Sequence, residues 1–187
     1  GMWSVSGWTI KEDYAPAVRG ATDVFAEYLA QTVNYEKIKS ETNDRLVAMG
    51  GGSPMDAAKA AAARLARPNR TVAQMKGLLR VRKKIVPFAA VPTTAGTGSE
   101  TTIAAVVTDE NHHKYAVNDL CLIPRWAILD PALTVSLPAR VTAETGLDAL
   151  THAVEAYVGR FYNTRETRDL ARQAVKAIFE YLPKACA

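Results

Sequence analysis

The sequence predicts an α/β fold in which a layer of parallel strands is followed by the beginning of an all-helical part. Two short apolar runs, at 46–49 and 85–91, are each followed directly by a loop of small residues. Between them lies an alanine-rich segment without a helix breaker, at 55–66. After residue 138 the apolar residues recur with a helical period instead. Strand, loop and helix in this order are typical of a parallel sheet covered by helices.

The composition supports a globular chain with an apolar core. Of the 187 residues, 48% are hydrophobic and 22% are charged, and no run approaches the ~20 apolar residues of a membrane span. The first residues lack the basic and then apolar layout of a signal peptide. Two cysteines, Cys121 and Cys186, are too few for a disulfide framework or a zinc ribbon. We therefore expect a cytoplasmic protein with no membrane partner.

The net charge of +4 does not by itself indicate nucleic-acid binding. One basic cluster, formed by Arg80, Arg82, Lys83 and Lys84, precedes the second apolar run. A short cluster of this kind is typical of a solvated face, and no aromatic residue stands among its charges to stack on bases. We expect no nucleic-acid partner.

The first elements follow in chain order. A helix is favoured over 15–38, although Pro16 and polar interruptions leave its ends undefined. The strand at 46–49 leads through Gly50-Gly51-Gly52-Ser53 into the helix at 55–66. The run at 46–49 is too short for a helix, so strand, glycine turn and helix is the arrangement that the pattern predicts.

The start of this helix is predicted from its capping residues. Ser53 is expected to be the N-cap, and Pro54 suits the first helical position. Asp56 stands three residues after Ser53, where its carboxylate would complete a capping box.

The remainder of the α/β part is predicted to contain further strands. Residues 103–107 and 115–117 form a predicted hairpin, joined by the turn residues Asp109-Glu110-Asn111. The run at 126–129 is predicted to be another buried strand, and Asp130-Pro131 ends it.

The last part of the chain is predicted to be helical over 138–144, 147–158 and 165–182. Asn163 and Glu166 have the spacing of a capping box for the last helix. A helical part that ends after three helices is what we expect of a fragment.

The loop Gly50-Gly51-Gly52-Ser53 is the first candidate ligand site. Glycine lets the backbone approach a phosphate closely, and the N–H groups and dipole of the following helix favour negative charge. The alternative is a tight turn with a cap, although three glycines are more than a cap needs. The loop is neither the G-x-G-x-x-G fingerprint nor a P-loop, because no Gly-Lys-Ser/Thr follows and Lys59 comes too late.

The loop at 93–100 is the second candidate. It carries four hydroxyls, from Thr93, Thr94, Thr97 and Ser99, and two glycines directly after a strand. Such hydroxyls can bond phosphate or ribose oxygens at the carboxyl edge of a parallel sheet, where ligands bind in such folds. A polar surface loop is the alternative, but two small-residue loops after two buried strands favour one shared ligand.

Asp148 and His152 are the third candidate, because residues four apart lie on one face of a helix and can grip one cation. A helical wheel places them with Glu155 opposite an apolar face, which consists of Leu147, Leu150, Val154, Tyr157 and Val158. From the spacing alone a solvated helix face is favoured, since two ligands are too few for a stable divalent site. His112 and His113 fall in the predicted hairpin turn, where exposure is expected.

Three segments resemble, in order and spacing, signatures of the iron-containing, group III alcohol dehydrogenases. They are MGGGSPMDAAKA at 49–60, PTTAGTGSETT at 92–102 and TGLDALTHAVEAYV at 145–158, and the linking segments at 106–117 and 128–146 agree. The resemblance implies a Rossmann-like NAD(P)-binding α/β domain over 1–135. It also implies that 136–187 begin a helical metal-binding domain.

The resemblance implies an oxidoreductase that transfers a hydride between NAD or NADP and a short alcohol or aldehyde. It assigns Gly51, Gly52 and Ser53 to the pyrophosphate with Asp56 close by, Thr93, Thr94 and Thr97 to the phosphate and ribose region, Lys114 to the nicotinamide side, and Asp148 and His152 to the metal. The metal is expected to be Fe(II), with Zn(II) as the alternative, since oxygen and nitrogen ligands suit both. A homo-oligomer is expected, with a dimer as one option.

The sequence departs from the family pattern in two respects. The family's other two metal ligands are histidines further along the chain, and no histidine follows His152. The family's opening strand and helix are not recognisable before residue 40. Two alternatives therefore stay open: a truncated chain that binds dinucleotide without turnover, and a zinc-using relative of the polyol or glycerol dehydrogenases.

Overall fold

The structure, a computed structural model, describes residues 3–5, 8–10, 46–109, 111–159 and 163–187. The helix predicted over 15–38 lies outside these residues. The chain divides into two units, of which the first comprises Gly1–Thr93 with Ser99–Asp130 and the second Thr94–Gly98 with Pro131–Ala187. The domain boundary after residue 135 stays a prediction.

The described residues of the first unit form two sheets. Its strands are β1 (Trp3–Val5), β2 (Trp8–Ile10), β3 (Leu46–Gly50), β4 (Gly77–Leu78), β5 (Phe88–Pro92), β6 (Ala104–Thr108), β7 (Lys114–Asn118) and β8 (Trp126–Ala127). The larger sheet has the order β1-β2-β3-β5-β8, in which β3, β5 and β8 run parallel, and the smaller has the order β4-β7-β6. The predicted α/β fold with parallel strands is confirmed.

The parallel pair β3–β5 positions both candidate loops. Its register runs from Leu46 opposite Phe88 to Gly50 opposite Pro92. The second predicted strand begins only at Phe88, because the preceding Pro87 has no N–H to donate to a ladder. The carbonyl of Pro87 still accepts a hydrogen bond from the N–H of Leu46 at 2.9 Å.

The first helix, α1 (Gly52–Ala66), covers this sheet with an alanine-rich body. Its buried Met55 and alanines form one core with Phe88, Met75 and Leu122. Small side chains let the helix approach the strands closely, and the larger residues fill the remaining space.

The predicted cap of this helix is wrong. The N-cap is Gly51, whose backbone is extended, and no side chain caps the helix, so Ser53 lies inside the first turn. Asp56 closes no capping box, because its carboxylate accepts hydrogen bonds from the Ser99 hydroxyl and the Val106 N–H instead.

The predicted hairpin is confirmed as β6 and β7, which pair antiparallel. His112 lies in the turn of this hairpin and has φ +61°. The N–H of His112 donates a hydrogen bond to the carbonyl of Asp109 at 3.0 Å. The N–H of His113 donates to the Asp109 carboxylate at 2.8 Å. Both histidine side chains are exposed, as expected for a turn.

The run at 126–129 is not the buried strand that its apolar letters predict. Only two of its residues form β8, and Trp126 and Leu129 are 47% and 70% exposed. The reason is position: among the described residues, β8 is the last strand of the larger sheet and pairs only with β5.

The second unit is built on α2 (Ala139–Val158) and α3 (Arg165–Ala185). One helix, α2, replaces the two that were predicted up to residue 158. Gly146, which separates them in the sequence, stays helical and is buried against Leu182 of α3, where a Cβ would collide. A close helix–helix approach at this point therefore keeps glycine inside the helix.

The capping box predicted for α3 is also wrong. The N-cap is Thr164, whose hydroxyl accepts a hydrogen bond from the Thr167 N–H at 3.1 Å. Asn163 turns back instead, and its side-chain amide donates to the carbonyl of Ala156 at 2.7 Å. The short Thr164 hydroxyl thus does what Asn163 and Glu166 were expected to do.

The apolar face predicted for α2 is largely exposed in the second unit. Leu147 and Val158 are 56% and 66% exposed, whereas the small residues Gly146 and Ala153 are buried. Across the part of the chain that the structure describes, no helix has both the length and the apolar character needed to cross a membrane.

Candidate functional site

The first candidate site is the turn between β3 and α1. Gly50 has φ +151°, a conformation that residues with a side chain rarely adopt. Because α1 begins at Gly52 without a side-chain cap, the N–H groups of Gly52 and Ser53 have no acceptor within the helix. The turn Gly50–Ser53 therefore presents backbone donors at the positive end of a helix, which suits an anion.

The second loop starts beside this turn. Gly50 lies opposite Pro92 in the parallel register, and the N–H of Thr93 donates to the carbonyl of Gly50 at 2.9 Å. Thr94 and Thr97 belong to the second unit. The hydroxyl of Thr94 is buried and has no hydrogen-bond partner among the described residues, which makes it a polar group that a bound water or ligand would satisfy.

Lys59 is the most enclosed polar side chain near these loops. It is fully buried, and its Nζ lies 2.6, 2.9 and 2.9 Å from the carbonyl oxygens of Ser99, Thr102 and Ala104. It also lies 3.2 and 3.0 Å from the hydroxyls of Ser99 and Thr102. One ammonium group thereby contacts five oxygens of the segment 99–104, which begins at the end of the second loop.

Asp56 complements Lys59 from one turn earlier in α1. Its carboxylate accepts from the Ser99 hydroxyl at 2.6 Å and from the Val106 N–H at 3.1 Å. Burial raises the pKa of Asp56 above its ordinary value, against the hydrogen bonds and the charge of Lys59, which lower it. Burial also lowers the pKa of Lys59 to about 8, against the charges of Asp56 and Glu100, which raise it.

Reasoning from the sequence did not find this role for Lys59, which was considered only as a P-loop lysine. A local signal was present. Lys59 stands among buried alanines and three residues after Asp56, so that both side chains share one helix face. Two charged residues on the apolar face of a helix indicate buried side chains that form hydrogen bonds with other parts of the chain.

Lys114, expected on the nicotinamide side, is the first residue of β7. Its side chain is exposed, and the described hydrogen bonds and ion pairs do not connect it to the turn Gly50–Ser53. Its assignment stays a prediction.

The predicted metal-ligand pair, Asp148 and His152, lies on α2. The Nε2 atom of His152 is 3.7 Å from Oδ1 of Asp148, and the two side chains are 58% and 48% exposed. Two ligands ~2.1 Å from a tetrahedral ion lie ~3.4 Å apart, so the pair fits two adjacent corners of a site. Within the described residues no group of three or more candidate ligands exists.

The same distance occurs elsewhere in the chain. Nδ1 of His113 lies 3.7 Å from Oδ2 of Asp109 in the hairpin turn. The separation alone therefore does not distinguish Asp148 and His152 from an ordinary contact between residues four apart.

A cavity of about 690 Å³ opens between α2 and α3 in the second unit. Small and apolar side chains form most of its wall, among them Thr145, Ala177 and Leu182. Asp148 and His152 do not line it, so the predicted ligand pair lies outside this cavity.

Two family models match the chain. The model of the iron-containing alcohol dehydrogenases matches residues 29–131, and the model of the C-terminal part of the Fe-containing alcohol dehydrogenase family matches residues 142–187. The two matches follow each other as the α/β part and the helical part do.

Individual proteins agree with these matches. The chain is 49% identical over 150 residues to the NAD-dependent methanol dehydrogenase of Bacillus methanolicus. This alignment covers 80% of the chain and 39% of that relative. The structure of an iron-containing alcohol dehydrogenase from Thermotoga maritima superposes with a TM-score of 0.75 at 38% identity, covering 88% of this chain and 43% of that one. For sulfoacetaldehyde reductase of Bifidobacterium kashiwanohense in complex with NAD+, the TM-score is 0.72 at 35% identity, with 89% and 42% covered. The chain thus spans about two-fifths of the length of these relatives.

Proposed function

The chain belongs to the iron-containing alcohol dehydrogenase family, and from this premise we propose that it is part of an enzyme that transfers a hydride between NAD(P) and a short alcohol or aldehyde. In this proposal residues 1–135 are the Rossmann-like coenzyme domain and residues 136–187 begin the helical metal-binding domain. The enzyme works in the cytoplasm as a homo-oligomer. The observation that carries the proposal is the register of β3 and β5, which starts both small-residue loops at one edge of the sheet.

The coenzyme residues follow from this edge. Gly51, Gly52 and Ser53 hold the pyrophosphate through backbone N–H groups, which the uncapped start of α1 supports. Thr93 and Thr94 supply hydroxyls to the phosphate and ribose region, and the unpartnered hydroxyl of Thr94 supports this role. Thr97 acts with them, and Lys114 approaches the nicotinamide side.

Asp148 and His152 are the first two ligands of Fe(II), or of Zn(II), in this proposal. A carboxylate oxygen and a neutral imidazole nitrogen suit both metals, and their 3.7 Å separation fits one coordination sphere. When bound, the metal supplies Lewis-acid polarisation of the substrate oxygen. Two protein ligands leave at least half of the coordination positions to water, so these residues alone hold a divalent ion weakly.

A second candidate is a chain that binds dinucleotide without turnover. It is favoured by the count of metal ligands, because the described residues contain no group of three or more. Hydride transfer requires coenzyme, substrate and metal in a near-attack geometry, and misplacement by ~1 Å can cost ~100-fold in rate. A zinc-using relative of the polyol or glycerol dehydrogenases has the same ligand pair and differs in the metal that supports turnover.

Turnover with added metal tests the proposal. Fe(II) or Zn(II) is added anaerobically with NADH or NADPH and a panel of short aldehydes, and coenzyme oxidation and bound metal are followed together. We expect coenzyme binding with little or no turnover from this chain. Robust turnover with one tightly bound metal per chain would contradict the two-ligand account, and His112, His113 or another subunit would then be the first places to look for further ligands.

A further inference from the structure

We propose that Lys59 is a positioning residue for the dinucleotide: together with Asp56, it fixes the end of the second loop to the helix that starts at the first loop. The inference rests on the proposed function, because it concerns the same coenzyme site. Lys59 does not touch the coenzyme in this account. It acts through the segment 99–104, which it holds in place.

Carbonyl oxygens surround the ammonium group of Lys59. Three carbonyl oxygens, from Ser99, Thr102 and Ala104, converge on one Nζ atom at 2.6 to 2.9 Å. Carbonyl oxygens that point at one spot repel each other unless a donor or a cation stands between them. An ammonium group offers three donors and a full charge, whereas an apolar side chain of the same length offers neither. The turn at 99–104 therefore depends on the charge of Lys59 for its shape.

Asp56 completes the anchor from the same helix face. The Ser99 hydroxyl donates to the Asp56 carboxylate and accepts from Lys59, so one residue bonds both charges. The Val106 N–H adds a bond from β6 to Asp56. The two charges also attract each other, so removal of either leaves the other with less electrostatic compensation in a largely buried place.

The second loop is thereby fixed at both ends to one structural unit. Its first residue, Thr93, bonds Gly50 at the end of β3, and its far end, Ser99, bonds Asp56 and Lys59 in the first two turns of α1. Gly51 and Gly52 lie between β3 and α1. A loop with anchored ends loses less conformational freedom when a ligand binds, which increases affinity without any added contact.

The test compares Lys59→Met with Lys83→Met, a lysine of the same unit with an exposed side chain. NADH affinity is measured by fluorescence titration from pH 6.5 to pH 9.5, and circular dichroism verifies the fold. We expect Lys59→Met to weaken NADH binding by ~10-fold or more, as loss of charge-assisted hydrogen bonds predicts, and Lys83→Met to change it by less than ~2-fold.

The dependence of NADH affinity on pH tests the positioning role, because a merely structural role of Lys59 would not change it. Lys59 faces two carboxylates, Asp56 on its own helix and Glu100 on the turn, and its pKa is about 8. Affinity of the wild type should fall as the pH rises through this value, because the neutral amine holds the carbonyl oxygens less well. Lys59→Met should lack this fall, and Lys83→Met should retain it.

Both results are required, and the absence of either overturns the inference. If Lys59→Met does not fold, Ser99→Ala takes its place, since it removes only the hydroxyl that bonds both charges. A folded Ser99→Ala that binds NADH as tightly as the wild type then overturns the inference and leaves the proposed function intact. A wild type that binds neither NADH nor NADPH at any pH overturns the proposed function, and the inference with it.

Discussion

The N–H of Thr93 donates a hydrogen bond to the carbonyl oxygen of Gly50 at 2.9 Å, which joins the first residue of one small-residue loop to the start of the other. The bond continues the parallel ladder in which Gly50 lies opposite Pro92. The uncapped start of α1 and residue Thr93 consequently lie at one sheet edge. This is where ligands of parallel α/β sheets bind.

Asp56→Asn should shift the alkaline fall in NADH affinity to lower pH than in the wild type. The charge of Asp56 raises the pKa of Lys59, so its removal lowers that pKa further and Lys59 loses its proton earlier. The midpoint of NADH affinity against pH measures the shift. Asp169→Asn, a surface change on α3, is the control and should leave the midpoint unchanged. A midpoint that stays in place, or moves upward, would refute the link between Asp56 and Lys59.

Lys59 should make the free energy of unfolding rise with pH in the alkaline range. Its pKa is about 8 in the folded chain and 10.5 as the ordinary value, so between these values the unfolded chain binds more protons. Stability contributed by this residue therefore increases from pH 8 toward pH 10.5, while NADH affinity falls. Urea unfolding of the wild type and of Lys59→Met is measured at each pH. The difference between their free energies of unfolding gives the contribution of Lys59. A difference that does not vary with pH would show that Lys59 keeps one protonation state across the range.

Metal binding should distinguish the predicted ligand pair Asp148 and His152 from the similar pair Asp109 and His113 in the hairpin turn. His152→Ala should abolish the weak binding of Zn(II) or Co(II), because it removes one of two protein ligands. His113→Ala is the matched control, since His113 lies at the same 3.7 Å from an aspartate four residues away. Calorimetric titration of each variant measures the affinity. Loss of binding in His113→Ala alone would move the metal site to the hairpin.

Local patterns predicted the elements that position the candidate coenzyme site. The apolar run that became β3, the glycine turn and α1 are continuous in the sequence, so strand, turn and helix follow from residues that are neighbours along the chain. The parallel pairing of β3 with β5 follows from the helix between them, because a crossover of this kind joins parallel strands. The hairpin of β6 and β7 was likewise predicted from its turn residues.

The features that the sequence did not predict depend on residues far apart in the chain. Lys59 bonds a segment that begins forty residues later, which no local pattern contains. Asp56 was expected to cap its own helix, but partners at Ser99 and Val106 compete for its carboxylate. Two helices were predicted on either side of 145–146, whereas Gly146 packs against Leu182 within a continuous α2.

The exposure of β8 was missed for a related reason. An apolar run of four residues predicts burial whatever its place in a sheet, and here that place is the edge. Trp126 is consequently 47% exposed in the first unit.

The most direct test of the proposed coenzyme site is a titration of NADH against the wild type and Gly51→Val. A branched side chain at Gly51 would occupy the space through which the pyrophosphate approaches the backbone, so we expect affinity to fall by ~10-fold or more with an unchanged circular dichroism spectrum. Ala73→Val enlarges an exposed residue of the same unit and should bind as the wild type does. Equal NADH affinities of the wild type and Gly51→Val would contradict the account, because the triple glycine would then be a turn and nothing more.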